Sequence, residues 1–416
     1  MLQPYAPLTV GTLPARLGGV PALRAALGDP ARWRVREVGD GNLNLVFVVK
    51  GPRGGLVVKQ ALPYVRLVGE GWPLPLDRSF FEYHALTRQA ARDPGSVPAV
   101  VHVDEGQALI VMEYLRDHVI LRRSLIGGNR HEGLGERLGT FCARTLFRGS
   151  DLSMAAADRK ADLALFAGNA ALCAITEALV FTDPYFDAAL NRHTPGLAPL
   201  VAGLRADAAL KGAAQRLKTA FASRAETMLH GDLHTGSVMV RGAEARVIDP
   251  EFATYGPMGF DVGMLMANFL MAHAARPAHG AGADYGDWIL SVVRAVWTGF
   301  AAEFARLWRT ERTGMLFPAA LFEDQGQGWA ADAACEAWLG GVWRDALGFA
   351  GLECHRRILG LAHNADFEAI ADEALRARLE ARALVLGRAL VLGAGDIAGV
   401  EALVALARRI SERDWL

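Results

Sequence analysis

The residues best suited to chemistry are His230-Gly231-Asp232-Leu233-His234-Thr235-Gly236-Ser237, followed closely by Val247-Ile248-Asp249-Pro250-Glu251. An aspartate beside an acceptor hydroxyl can orient it and take its proton late in phosphoryl transfer, so an ordinary carboxylate suffices. Asp232 is the candidate for that base. Asp249 and Glu251, two apart at the end of a short apolar run, can face one side and offer hard oxygen ligands to magnesium. Water and nucleotide phosphates would complete the metal's shell. The bland alternatives are a Gly-Asp turn closed by its own side chain and a cap on the next segment. The close succession of the two clusters favours chemistry.

Phosphate chemistry also needs positive charge and backbone amides, and candidates lie upstream. Asp40-Gly41-Asn42-Leu43-Asn44 is a turn whose amides could cradle phosphates. It matches neither a Walker A sequence nor Gly-x-Gly-x-x-Gly, so an ordinary turn stays open. Lys59, one of five lysines among 44 basic residues, stands in the apolar run Gly55-Leu56-Val57-Val58-Lys59-Gln60. Buried alone it would be costly, so it needs an acid or a phosphate, and Glu82 can supply the acid. A wet edge strand from which the lysine reaches solvent is the alternative. His230 and His234 would suit a metal only on a helix, which Gly231 and Gly236 oppose. Asp261 can cap a helix or hold the Asp232 loop. Arg356 and Arg357 stand before an apolar run, where adjacent guanidiniums need an acid or a phosphate. Composition alone would make them ordinary surface arginines.

The elements that must position these groups fall into two kinds. Residues 33 to 62 read as strands with a turn at Gly51-Pro52-Arg53-Gly54-Gly55, a helix spans about 78 to 92, and two more strands follow before Tyr114. Beyond it the pattern is helical, near 134 to 147, 161 to 181, 212 to 229, 261 to 275, 287 to 309, 330 to 347 and 366 to 409, with two short strands between the acidic clusters. The expected class is α+β, with a small mainly antiparallel domain at 1 to 115 and a large mainly helical one at 116 to 416.

Bulk properties narrow the functions. With 416 residues, 52% of them apolar, a sizeable core is easy to fill. A net charge of -1 gives no broad footprint for nucleic acid or an anionic membrane. Cys142, Cys173, Cys335 and Cys354 lack zinc spacing and read as reduced thiols, which fits the cytoplasm. No uninterrupted apolar stretch of membrane-spanning length is expected.

The order of turn, Lys59 strand, Glu82 helix, hinge, Asp232 loop and Asp249-Pro250-Glu251 resembles the protein-kinase-like, bilobal fold of aminoglycoside and choline kinases. Within it, Asp40-Gly41-Asn42-Leu43-Asn44, Leu76-Asp77-Arg78, the Asp232 loop, Asp249-Pro250-Glu251-Phe252 and the pair Arg356-Arg357 are similar to the 5-methylthioribose kinase family. That resemblance implies ATP and Mg2+ as cofactors, 5-methylthioribose as substrate, a place in methionine salvage and a homodimer. It also implies that Lys59 with Glu82 holds the α- and β-phosphates, that Met112, Glu113, Tyr114 and Leu115 meet the adenine, and that Arg356 and Arg357 reach the substrate and the transferring phosphate. Asp40, Gly41, Asn42 and Asn44 would line the nucleotide. Most kinases of the wider fold place asparagine five positions after the base and use Asp-Phe-Gly for metal; this chain has Ser237 and Asp249-Pro250-Glu251. An aminoglycoside-like or choline-like kinase, or a nucleotide-binding protein without catalysis, are the alternatives.

Overall fold

A computed structural model describes residues 4–39, 43–66, 69–280 and 282–416. The expected Asp40, Gly41 and Asn42 turn lies outside the described residues. The chain divides into two compact units. The first comprises 1–118, 169–172 and 246–253, and the second comprises 119–168, 173–245 and 254–416.

The first unit is built on a five-stranded antiparallel sheet. Arg34–Val38, Asn44–Lys50 and Gly55–Ala61 form a meander, and Leu109–Glu113 lies between Gly55–Ala61 and Val100–Asp104. Side chains alternate across a strand, so each strand serves two layers. Phe47, Val49, Leu56, Val58, Leu109 and Val111 bury one face against the N-terminal helices Leu13–Leu17 and Pro21–Leu27. Lys59 therefore points to the other face, where the helix Arg78–Arg92 carries Glu82. Gln60, on Val58's side, is fully buried and accepts from the Leu8 amide at 2.7 Å, fastening the N-terminal segment.

The second unit is mainly helical. Leu134–Arg148 packs along Ala283–Thr310, and Gly259–Ala275 and Glu373–Gly393 flank the long helix Gly328–Leu359. Ala283–Thr310 is long and apolar enough to cross a membrane by length and composition, although Asp287, Arg294 and Glu303 interrupt its apolar run. It buries Ile289, Val293, Phe300 and Phe304, while Arg294 and Arg306 make surface ion pairs with Glu401 and Glu303. That two-faced pattern is that of a core helix.

Four helix expectations need correction. The run 212 to 229 ends at Ser223, and Thr227–Met228 is a short strand. The run 161 to 181 is two helices, Ala156–Phe166 and Ala170–Leu179. Between them Asn169 donates to the carbonyls of Glu251 and Ala253, each at 2.9 Å, which draws the chain out of a continuous helix. The run 366 to 409 is three helices, Ala365–Glu368, Glu373–Gly393 and Val400–Ser411, broken before Glu373 and where glycines cluster at 393, 395 and 399. Conversely, the helix expected to end at 347 continues to Leu359. Gly348 and Gly351 do not break it; they let neighbours approach. A Cβ on Gly351 would lie 2.4 Å from the Gly387 carbonyl and 2.6 Å from Val391 Cγ2. The extension matters because it places Arg356 and Arg357 in the last helical turn, where cations suit the helix dipole.

The close approach at Gly351 is testable. Alanine there would gain about 1 kcal/mol of helix propensity. It would also force backbone apart in a packed interface, which costs about 1–3 kcal/mol or more, and a carbonyl cannot rotate away as a side chain can. Gly351→Ala should lower the melting temperature by several degrees in a thermal denaturation series. An unchanged or higher melting temperature would show that the two helices have room to spare.

Candidate active site

In the first unit, Lys59 Nζ meets Glu82 Oε2 at 2.8 Å and also bonds Asp249. Lys59 is buried, which excludes the wet-edge alternative. Burial disfavours its charge, but Asp249, Glu251 and Glu82 more than offset this and raise its pKa. Glu82 is pushed up to about 8, chiefly by burial and further by Asp249 and Glu251, against the pull of Lys59. Oxygens of Glu82, Asp249 and Glu251 all lie within 4.8 Å of one another. This is a crowded set of hard acidic donors, and its chemistry fits a divalent cation such as Mg2+.

The two metal candidates differ in setting. Asp249 has 48% of its side chain exposed, and its backbone is left-handed at φ +70, a conformation that aspartate tolerates better than most residues. Glu251 is buried and accepts from Asn44 Nδ2 at 2.9 Å, with Arg78 Nε at 3.5 Å. Arg78 is a residue that sequence reasoning quoted only within a motif and gave no role. Its guanidinium is 1% exposed and donates to the carbonyls of Leu43, Leu62 and Pro75 and to Asn44 Oδ1. It thus ties Leu43 and Asn44 to the Glu251 carboxylate. Asn169 braces the same segment from behind. Met112 and Glu113 end the strand Leu109–Glu113, with Tyr114 and Leu115 next in the chain.

In the second unit the Asp232 loop follows the short strand Thr227–Met228. Gly231 adopts φ +86, which a side chain would resist. The Asp261 carboxylate accepts from the amides of His230 at 2.6 Å and Gly231 at 3.1 Å, so it holds the loop and does not cap its own helix. Ser237, where asparagine is usual in the wider fold, donates its hydroxyl to the Asp232 carbonyl at 2.8 Å.

The Asp232 carboxylate is surrounded by donors. Its Oδ1 accepts from Arg356 Nη1 at 3.2 Å and Arg357 Nη2 at 3.1 Å, and its Oδ2 lies 3.3 Å from His234 Nε2. Burial alone would raise its pKa, but His234, Arg356 and Arg357 hold it well below the usual range. His234 is itself pushed down to about 4 by burial, so near neutral pH its ring is neutral. Its Nδ1 accepts from the Gly236 amide at 2.9 Å, which assigns the proton to Nε2 and makes the ring a donor to Asp232. The positive charge at Asp232 therefore comes from the arginines. Arg356 and Arg357 are both buried, contrary to what composition alone suggested.

More groups lie behind the arginines, and of these Glu353, Asn268 and Arg122 belong to no motif. Glu353 Oε2 accepts from Arg356 Nη1 at 3.1 Å and its Oε1 from Arg357 Nε at 2.6 Å. Asn268 Nδ2 donates to Glu353 Oε1 at 3.2 Å, and Arg122 Nη2 donates to Asn268 Oδ1 at 2.7 Å. Arg122 Nε reaches Thr235 Oγ1 at 3.2 Å and pairs with Asp366 at 3.4 Å. The only sequence signal was spacing: Glu353 precedes the arginines by three and four residues, one helical turn.

The chain is similar to known proteins over most of its length. Residues 34–299 match the model of the phosphotransferase enzyme family. A methylthioribose kinase of Escherichia coli O45:K1 is 41% identical over 412 residues, covering 97% of this chain and 98% of the relative. Methylthioribose kinase 1 of Oryza sativa subsp. japonica is 40% identical over 398 residues, covering 92% and 90%. Among solved structures, a glucosamine kinase in complex with glucosamine, ADP and inorganic phosphate aligns with 83% of this chain and 85% of its own, at 16% identity and a TM-score of 0.44.

If Asp249 is the exposed ligand of a nucleotide-bound cation, Asp249→Asn should weaken binding of Mg2+-ATP about tenfold or more, roughly 1.4 kcal/mol. Titration calorimetry checks this, with the melting temperature close to that of the parent because the side chain is half exposed. Unchanged affinity and unchanged magnesium dependence would remove Asp249 from the metal site.

Proposed function

Because this chain belongs to the methylthioribose kinase family, within the broader phosphotransferase enzyme family, we propose that it transfers the γ-phosphate of ATP to the anomeric hydroxyl of 5-methylthio-D-ribose. The products are 5-methylthio-α-D-ribose 1-phosphate and ADP, a step of methionine salvage. The observation that carries the reading is an ionised Asp232 held by paired arginines in a chain related over nearly its whole length to these kinases.

The hydroxyl oxygen forms a bond to the γ-phosphorus, the bond from that phosphorus to the β,γ-bridging oxygen breaks, and the hydroxyl proton passes to Asp232. A carboxylate offers about four acceptor sites. Arg356, Arg357 and His234 occupy three of these on Asp232, which leaves Oδ2 able to accept from the sugar hydroxyl. Arg356 and Arg357 offer positive charge to the acceptor and the phosphoryl oxygens. Lys59, fixed by Glu82, is the ligand for the α- and β-phosphates, Asn44 lines the nucleotide, and Met112 to Leu115 receive the adenine. Asp249 and Glu251 would hold Mg2+, which offsets phosphate charge when bound. The cytoplasm suits this enzyme, whose four cysteines are free thiols, and the homodimer belongs to the same reading.

Incubation with Mg2+-ATP and methylthioribose should produce a sugar 1-phosphate by phosphorus NMR. Efficient phosphorylation of choline or an aminoglycoside with none of methylthioribose would reject the substrate. Asp232→Asn should lower kcat by about 100-fold or more with ATP affinity nearly intact. A kcat within a few fold of the parent would remove Asp232 from the base role.

A further inference from the structure

Glu353 is a fully buried carboxylate to which the proposed reaction assigns no task. A buried anion is tolerated only where cations and donors satisfy it, and such arrangements are costly to build for stability alone. Its two oxygens are divided. Oε2 takes Arg356 Nη1, and Oε1 takes Arg357 Nε and Asn268 Nδ2. Arg357 thus turns one edge to two carboxylates, Nε to Glu353 and Nη2 to Asp232. Burial pushes the Glu353 pKa up, but Arg357 and Arg356 lower it overall, so it stays an anion.

The contacts close on themselves. From Asp232 they run through the arginines to Glu353, then Asn268, Arg122 and Thr235, three residues beyond Asp232 in the same loop. The loop, the helix start at Arg122, the helix Gly259–Ala275 and the end of Gly328–Leu359 are linked in one circuit. Asp366, buried beside Arg122, completes a set of three arginines and three carboxylates. Each guanidinium meets at least two of these groups. Released from Glu353, either one could swing to grip Asp232 with two donors and cover the acceptor position on Oδ2.

We propose that Glu353 is a positioning residue for phosphoryl transfer, fixing Arg356 and Arg357 so that they orient Asp232 and the acceptor without blocking the base. The proposal rests on the kinase reading of the site. It separates two roles that a buried carboxylate can play. Charge balance needs only an anion nearby, whereas positioning needs both oxygens at their present reach.

Glu353→Asp keeps the charge and shortens the arm by one methylene; Glu353→Gln keeps the shape and removes the charge. Both are measured with the acceptor that the parent enzyme turns over best, so a different substrate would overturn the reading of function and leave this test intact. The expected result for Glu353→Asp is a loss of about 10- to 100-fold in acceptor kcat/KM, the scale of a misplacement near 1 Å. Its KM for ATP should stay within about twofold and its melting temperature within a few degrees of the parent. In the substrate-free protein, the Arg357 Nε–H signal by nitrogen NMR should be protected from exchange and should lose that protection in both variants. Parental acceptor kinetics and a protected signal in Glu353→Asp would overturn the proposal in favour of charge balance. So would equal rises in both KM values that track a lowered melting temperature. If Glu353→Gln does not fold, Glu353→Asp decides the matter.

Discussion

The bond between Asp232 and the guanidiniums of Arg356 and Arg357 sets what the second unit must accomplish. An aspartate that receives a proton from a sugar hydroxyl must enter the reaction ionised, although most of its surroundings exclude water. Burial opposes that charge, and two cations within hydrogen-bond reach restore it. The cations are themselves buried and need their own partners, which is why Glu353, Asn268 and Arg122 follow behind them. Each added charge calls for another, and the series ends where Arg122 meets Thr235 and Asp366. Long helices packed at glycine contacts give these groups fixed positions to project from.

The first unit meets the same constraint with negative charge in excess. Three carboxylates face one lysine, and Arg78 is drawn in to serve Glu251 and Asn44 together. The crowding of negative charge favours a further cation, which is the setting a nucleotide-bound metal requires. Asp249 is the member most open to solvent, while Glu251 is enclosed. In the proposed reaction the open carboxylate would gain and lose ligands through a turnover, while the enclosed one accepts from Asn44.

Much of this layout could be read from residue types. The strands of the first unit, the Arg78–Arg92 helix and the helical remainder follow from periodicity, because one-sided burial imprints a period of two or of 3.6 on the chain. Lys59 could be singled out because a charge in an apolar run demands an explanation, and Asp232 and Asp249 because two acidic clusters follow each other closely. What escaped was tertiary. The helix expected to end at 347 runs on through Gly348 and Gly351, which are sites of helix contact that only the packed neighbour reveals. Glu353 and Arg122 carry no motif, since an acid one turn before arginines is common on solvent faces; burial alone sets this one apart. His234 had no defined role because its tautomer depends on the Gly236 amide, a feature of loop shape.

The central claim is that Asp232 is kept a carboxylate by its arginines. Carbon NMR of the aspartate carboxyl groups, with Asp232 assigned by its Asp232→Asn variant, follows that charge directly. The account predicts a signal that stays in its ionised position as pH falls through the ordinary aspartate value of about 3.9. The stability it contributes is present above the unfolded pKa and is lost only as pH falls through the lower folded value. In Arg356→Gln and Arg357→Gln the midpoint should move upward. A midpoint at or above the ordinary value in the parent protein, unmoved by either substitution, would contradict the account.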